Sequence, residues 1–375
     1  MPLLNSPQQS SSMEDIQVLD TLTEIASKIL LHEDFRIEHS DFPPLISTPE
    51  MVEKLNKLPE SLQRKFITLQ LRGFLYGVYY NGSLRHGLAL NRETPQVNQQ
   101  QNLENNTFLG VDLEFSDQLH HQNLGQGYYD YHWRITRKEE DGYIAVKKGD
   151  LTLHIKGEIH LHSHHIHAKI GDEVGILMPK NLMQNGFYMA VGNAGKPHST
   201  THHGELVRVY FHLQPEGAIA LMKAITTTLN QSAIPFCFKA LYNPGDYQRY
   251  DSAVLYFDKS SYPVVHQALT SIYAEYHGYF HPEVPLFTKY LAPGLGLAEE
   301  PNQRISKQES FGLNRCQIVA NGYLAAWQRG DRTPNQLLNS ILHHFELFNL
   351  DWQRPYLNPN ADDIYMSLVI DSENS

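Results

Sequence analysis

IPFCFKALYNPGDYQRYDSAVLYF, residues 234–257, places two short apolar runs on either side of a polar centre containing Asn243-Pro244-Gly245-Asp246. Runs of this length, rich in Phe, Val and Tyr and bounded by turn residues, predict strands over 234–241 and 251–257. Just upstream, LVRVYFHL (206–213) reads as another strand, and PEGAIALMKAITTTLNQ (215–231) as a helix opened by Pro and Glu. Downstream, SYPVVHQALTSIYAEYHGYF predicts a helix starting near Tyr262-Pro263. The order strand, helix, strand, strand, helix predicts an α+β fold, an α/β layer with helices flanking a mixed sheet.

Outward from this centre the organisation changes. Residues 1–12 are Gln/Ser/Pro-rich and read as a flexible tail. A mainly helical region is expected over 13–125, opening on MEDIQVLDTLTEIASKILL with apolar steps of three and four. TPEMVEKLNKL adds a Thr48 cap with Pro49 in the first turn, and the pattern breaks near Pro59. The polar run ETPQVNQQQNLENN (93–106) reads as a surface loop. The α/β domain is expected over 126–350, beginning with hairpins split at Asp141-Gly142 and Gly149-Asp150, and a tail over 351–375.

Bulk properties exclude several function classes. The 375 residues carry 41% hydrophobic side chains and a net charge of −11. No overall basic field invites nucleic acid or an anionic membrane. Two cysteines without CxxC spacing, no basic-then-apolar leader and no long apolar run predict a cytoplasmic protein.

GEIHLHSHHIH (157–167) looks at first like a metal site, because alternation in an extended segment would align His160, His162 and His164. No HExxH is present, and the chain holds 21 histidines, so clusters arise by composition. The expectation is a polar strand edge or loop, with no metal and no other cofactor.

The more informative residues are basic ones within strands. Alternation puts Arg208, Tyr210 and His212 on one face of 206–213, and Cys237, Lys239 and Leu241 on one face of 234–241. A lysine at the centre of IPFCFKAL is costly to bury unpaired, and a desolvated lysine among other cations suits a general base. Arg249, Lys289, Arg304 and Arg315 follow. Arg315 falls in the first turn of a helix expected over 312–327, where an anion is favoured.

These segments also carry a resemblance. GFYMAVGNAG (186–195), VRVYFHLQPEGAIALMKAITTTLN (207–230), 234–257, PLFTKYLAPGLGLAEEP (285–301) and SFGLNRC (310–316) resemble the HopA-like type III effector family, over about residues 65–330. Versions of that domain look like the lyase components of lanthipeptide-type peptide maturation, working with a Ser/Thr kinase partner. More remotely, the segments are similar to phosphothreonine lyases of the OspF/SpvC type. That similarity implies a carbon–oxygen lyase that eliminates phosphate from a phosphorylated peptide and leaves a dehydroamino acid, without a cofactor. Lys239 matches the catalytic lysine, and Arg208 the first basic residue. Arg249 and Tyr256 match the phosphate-side Arg and Tyr, while Arg315 and Arg304, with Lys289 nearby, would supply later contacts to substrate. The general acid departs from the pattern: Tyr210 stands at the histidine position and His212 two residues on, and either could donate. The alternative is a non-catalytic phosphopeptide- or protein-binding module of the same fold.

Overall fold

The structure, a computed structural model, describes residues 13–85, 111–139, 141–184, 186–197, 205–306 and 309–368. The expected tail over 1–12 and the polar loop at 93–106 lie outside the described residues.

Seven antiparallel strands form the central sheet, in the order β12 (Lys289–Ala292), β13 (Leu295–Glu299), β9 (Leu206–Phe211), β11 (Ala253–Asp258), β10 (Phe236–Leu241), β8 (Phe187–Val191) and β7 (Asn181–Gln184). The register sets Lys239 opposite Met189 and Val254, and Tyr256 opposite Cys237 and Arg208. The pleat therefore separates two kinds of side chain. One face carries Val207, Val209, Phe211, Phe236, Phe238, Leu255 and Phe257, all essentially buried. Helix α5 (Pro215–Gln231) packs on β10 and buries Leu221, Met222, Ile225 and Leu229, and α6 (Tyr262–Tyr276) packs beside it. Each such side chain contributes about 1.5–3 kcal/mol relative to exposure.

The opposite face carries the polar residues of the same strands. Part of it is covered by a π-helical turn, Tyr76–Tyr80, that continues α3 (Glu60–Leu75), and by the start of α7 (Phe311–Arg329). The Tyr210 ring meets Tyr80 and Phe311, with centroids 6.3 and 6.4 Å away. Helix α7 starts where Ser310 Oγ accepts from the Leu313 amide and stops at Gly330, whose φ of 88° suits glycine. A capping box of Thr333 and Gln336, with Pro334 in the first turn, then starts α8 (Pro334–Leu347). Helices α7 and α8 pack so closely that a Cβ on Gly322 would lie 2.6 Å from Ile341 Cα. Helix α1 (Met13–Lys28) packs on α8, and α2 (Pro49–Asn56) begins at a Thr48 cap with Pro49 in its first turn, as the sequence predicts.

Three differences from the sequence reading stand out. A second antiparallel sheet, β5 (Leu151–Lys156), β4 (Tyr143–Lys148), β3 (Tyr128–Lys138) and β6 (Glu173–Met178), builds its own small core around Trp133, Val146, Val174 and Ile176. GEIHLHSHHIH is not an extended segment: Gly157–His160 forms a helical turn and Ser163–His165 a 3-10 turn. Its imidazoles satisfy local backbone, His160 Nδ1 donating to the Lys156 carbonyl and His165 Nδ1 accepting from the Gly175 amide. Finally, 351–368 is not a tail. Tyr356, Leu357, Tyr365 and Leu368 are buried, and the Leu368 amide donates to the Leu291 carbonyl on β12. The apolar residues of this strap have no helix or strand period, so sequence alone reads them as unstructured.

Replacing Gly322 by Val should cost about 1–3 kcal/mol, because the new side chain meets backbone rather than a movable side chain. Urea denaturation should show a lower midpoint at an unchanged slope; wild-type stability would contradict the close helix contact.

Candidate functional site

Lys239 occupies the middle of β10 on the polar face, half-buried. Its Nζ lies 4.0 Å from the centroid of the Phe187 ring and 5.6 Å from that of Tyr256. Two strands away, the Arg208 guanidinium carbon packs 5.2 Å from the centroid of the same Tyr256 ring. Tyr256 thus joins the two cations, and Phe187 joins Lys239 to Arg249, whose guanidinium carbon is 5.7 Å from its centroid. Cations gain from aromatic faces most where water is excluded.

Each arginine here meets a carboxylate. Arg249 Nε and Nη2 donate to Asp251 at 2.8 and 3.0 Å, a bidentate pair buried on both sides. Tyr76 Oη, from the π-helical turn, donates to the same carboxylate at 3.4 Å. Burial alone would raise the Asp251 carboxyl, but Arg249, with Lys239 behind it, holds it below the usual carboxylate range. Arg208 pairs with Glu300, which also holds Arg304 Nη2 at 2.7 Å. Burial works against the charge of Arg208, and Glu300 outweighs it, leaving the guanidinium above its ordinary value. Lys239 differs: among the described residues it has no ion pair, only its two aromatic contacts.

The remaining sequence candidates lie elsewhere or face other partners. Tyr210 shares the face of Arg208 and Lys239 but is covered by Tyr80 and Phe311, and burial raises its hydroxyl, keeping it protonated. His212 follows the end of β9 and turns away toward the 281–283 loop. Its ring centroid is 4.6 Å from that of His281, and its Nδ1 is 3.2 Å from the Glu283 carbonyl. Burial first, then His281, pushes this imidazole down to about 4.

Arg315 and Lys289, expected to contact substrate, are instead spent on the strap. Arg315 is 1% exposed, and its Nε and Nη2 donate to the carbonyls of Pro355 and Leu357 at 2.7 and 3.0 Å. Its third nitrogen, Nη1, donates to Asn314 Oδ1, and burial lowers the guanidinium to about 10. Lys289 Nζ binds Asp363 at 3.0 Å and Tyr356 Oη at 3.2 Å.

Sequence reasoning missed the two carboxylates, Asp251 and Glu300. A signal existed in each spacing: Asp251 follows Arg249 by two residues, and Glu300 precedes Arg304 by four. Among the described residues no group of three or more His, Cys, Asp or Glu is placed to hold a metal ion, and no helix is long and apolar enough to cross a membrane.

The polar face lies within a stretch that matches a known family model. Residues 178–357 match the HopA1 effector protein family. Two solved structures of effector proteins from Pseudomonas syringae are similar to the chain. The one from pathovar syringae strain 61 has 14% identity and a TM-score of 0.43, covering 94% of this chain and 100% of its own. The one from pathovar tomato has 17% identity and a TM-score of 0.38, covering 66% and 81%. No curated protein matches the sequence. All the sequence-derived site residues fall inside the HopA1-family stretch, while Tyr76, Tyr80 and Asp363, which brace them, lie outside it.

Two outcomes follow from these buried groups. Asp251→Asn leaves Arg249 buried without its countercharge and should cost about 3–5 kcal/mol in denaturant titration. His212 has a folded-state value below its ordinary 6.5. Its contribution is therefore complete above about pH 6.5 and is lost as pH falls toward 4, on the order of 3 kcal/mol in all. His212→Gln should flatten that part of the stability profile; an unchanged slope between pH 6.5 and 4 would rule out this source.

Proposed function

We propose that this protein eliminates phosphate from phosphoserine or phosphothreonine in a peptide, producing a dehydroamino acid residue and inorganic phosphate. The reading is carried by Lys239, which among the described residues is the one cation of the cluster not tied to a carboxylate, held on the sheet face between two aromatic rings. A base that must accept a proton cannot be locked to an acid, and Lys239 is not. In its unprotonated form Nζ takes the Cα proton; the electron pair forms the Cα–Cβ double bond, and the Cβ–O bond breaks. The departing oxygen leaves with the phosphorus as phosphate and takes up a proton from solvent, because the Tyr210 hydroxyl is covered by Tyr80 and Phe311. Arg208, with Arg304 at the rim, meets the phosphate, since planar guanidinium groups suit its oxygens. Arg249, neutralised by Asp251, borders Lys239 through the shared Phe187 ring and positions that ring rather than binding substrate. No metal or organic cofactor enters these steps. A Ser/Thr kinase that phosphorylates the same peptide is the expected partner.

A second reading has its own support: Arg208, Arg249 and Arg304 all sit on internal carboxylates, as in a module that binds without turnover. One assay separates the two. Incubating the full chain with phosphothreonine and phosphoserine peptides should release phosphate and lower the peptide mass by the elements of phosphoric acid. Lys239→Ala should slow this by about 10²–10⁴-fold while keeping the melting profile. An unchanged rate in that variant defeats the assignment of the base. Saturable binding with unchanged peptide mass favours the module.

A further inference from the structure

The Glu300 carboxylate lies between two guanidinium groups. Arg208 Nη2 pairs with Oε2, and Arg304 Nη2 holds Oε1 at 2.7 Å. The side chains of Arg208 and Glu300 are only 12% and 11% exposed. Among the described residues, Arg208 Nε and Glu300 Oε2 are both buried without a hydrogen-bond partner, so the carboxylate does not exhaust the donors around it. Two forks around one anion make a seat for an oxyanion, and here the chain fills it with its own residue.

The backbone at that point is fixed. The Glu300 amide donates to the Leu206 carbonyl at 2.8 Å, and Asn358 Nδ2 donates to the Glu300 carbonyl at 2.8 Å. Emptying the seat therefore requires rotation of one side chain and no movement of the strand. We infer that Glu300 is a resident competitor: a phosphomonoester takes the seat on Arg208 and Arg304 by displacing the Glu300 carboxylate, and this exchange rejects monoanions. The inference rests on the proposed phosphate site and adds its selectivity.

The physical reason is a difference of affinities. A tethered carboxylate presents an effective concentration of about millimolar or more, so a diester or a free carboxylate with the same single charge gains little by replacing it. A phosphomonoester brings a charge of about −1.5 to −2 and three terminal oxygens, enough to engage both forks and the vacant Arg208 Nε. Selectivity arises from the internal rival rather than from an added contact.

The test measures binding alone. Methyl phosphate and dimethyl phosphate are titrated calorimetrically into the full chain at pH 8, for wild type and Glu300→Gln. Wild type should prefer the monoester by about tenfold or more. Glu300→Gln should bind both esters more tightly, with the preference shrinking by a similar factor. Its unliganded melting temperature should fall and methyl phosphate should restore it, because the anion replaces the missing countercharge. If Glu300→Gln does not fold, Glu300→Asp, whose shorter side chain spans the two forks less well, should show the same gain in smaller measure. A folded variant that binds methyl phosphate no more tightly than wild type overturns the inference, as does a wild type that binds both esters equally. Absent elimination by wild type defeats the lyase reading and leaves the exchange intact; an unchanged ester ratio in Glu300→Gln defeats the exchange alone.

Discussion

A guanidinium taken out of water must be answered by acceptors inside the fold, and this constraint shapes the polar face of the central sheet. Arg249 is answered by Asp251, Arg208 by Glu300, and Arg315 by carbonyls of residues that come 40 and 42 positions later in the chain. Lys259 follows the same rule, its ammonium held at 2.7 Å by Glu299, which also accepts from Tyr365 and from the Asn358 amide. These pairs add little net stability over apolar packing, but removing one partner leaves an uncompensated charge. They therefore fix which segments must lie together. The strap crosses the edge of the sheet because Arg315, Lys259 and Lys289 need what it carries.

That same constraint explains how much could be read in advance. Strands β9, β10 and β11 and helices α5 and α6 were legible, because Phe, Val and Leu alternate or recur at helical steps along them. Helix α5 runs over the residues that its Pro215-Glu216 start and periodicity mark. The strands β7, β12 and β13 were not legible: they are short, and Gly296, Asn181 and Lys289 break the pattern within a few residues. Arg208, Lys239 and Tyr256 share one face; alternation grouped residues only within each strand, and the cross-strand register decides which faces coincide. For Arg315 the sequence could show a basic residue at a helix start but not what would meet it. A buried arginine facing carbonyls and one facing a ligand have the same local spelling, and only the long-range return of residues 355–357 distinguishes them. His212 failed as a neighbour of Lys239 for a related reason. The strand ends at Phe211, so alternation no longer governs the residue after it.

The helical N-terminal part is tied into this arrangement through one irregularity. A π-helical turn sets Tyr76 and Tyr80 stacked at 4.9 Å, so one hydroxyl reaches Asp251 while the other ring covers Tyr210. Such widened turns often occur where a side chain must be aimed. The HopA1-family stretch thus depends on residues from outside its limits to close the back of its polar face.

The strap also imposes an order in time. During synthesis Arg315 leaves the ribosome long before Pro355 and Leu357, and Glu299 before Asn358 and Tyr365. Until those later residues arrive, the edge formed by β12 and β13 holds charges without acceptors, so the sheet can be assembled early but sealed only late. Maturation of the polar face is coupled to completion of the chain, and a stalled or shortened product would expose that edge rather than display a finished site.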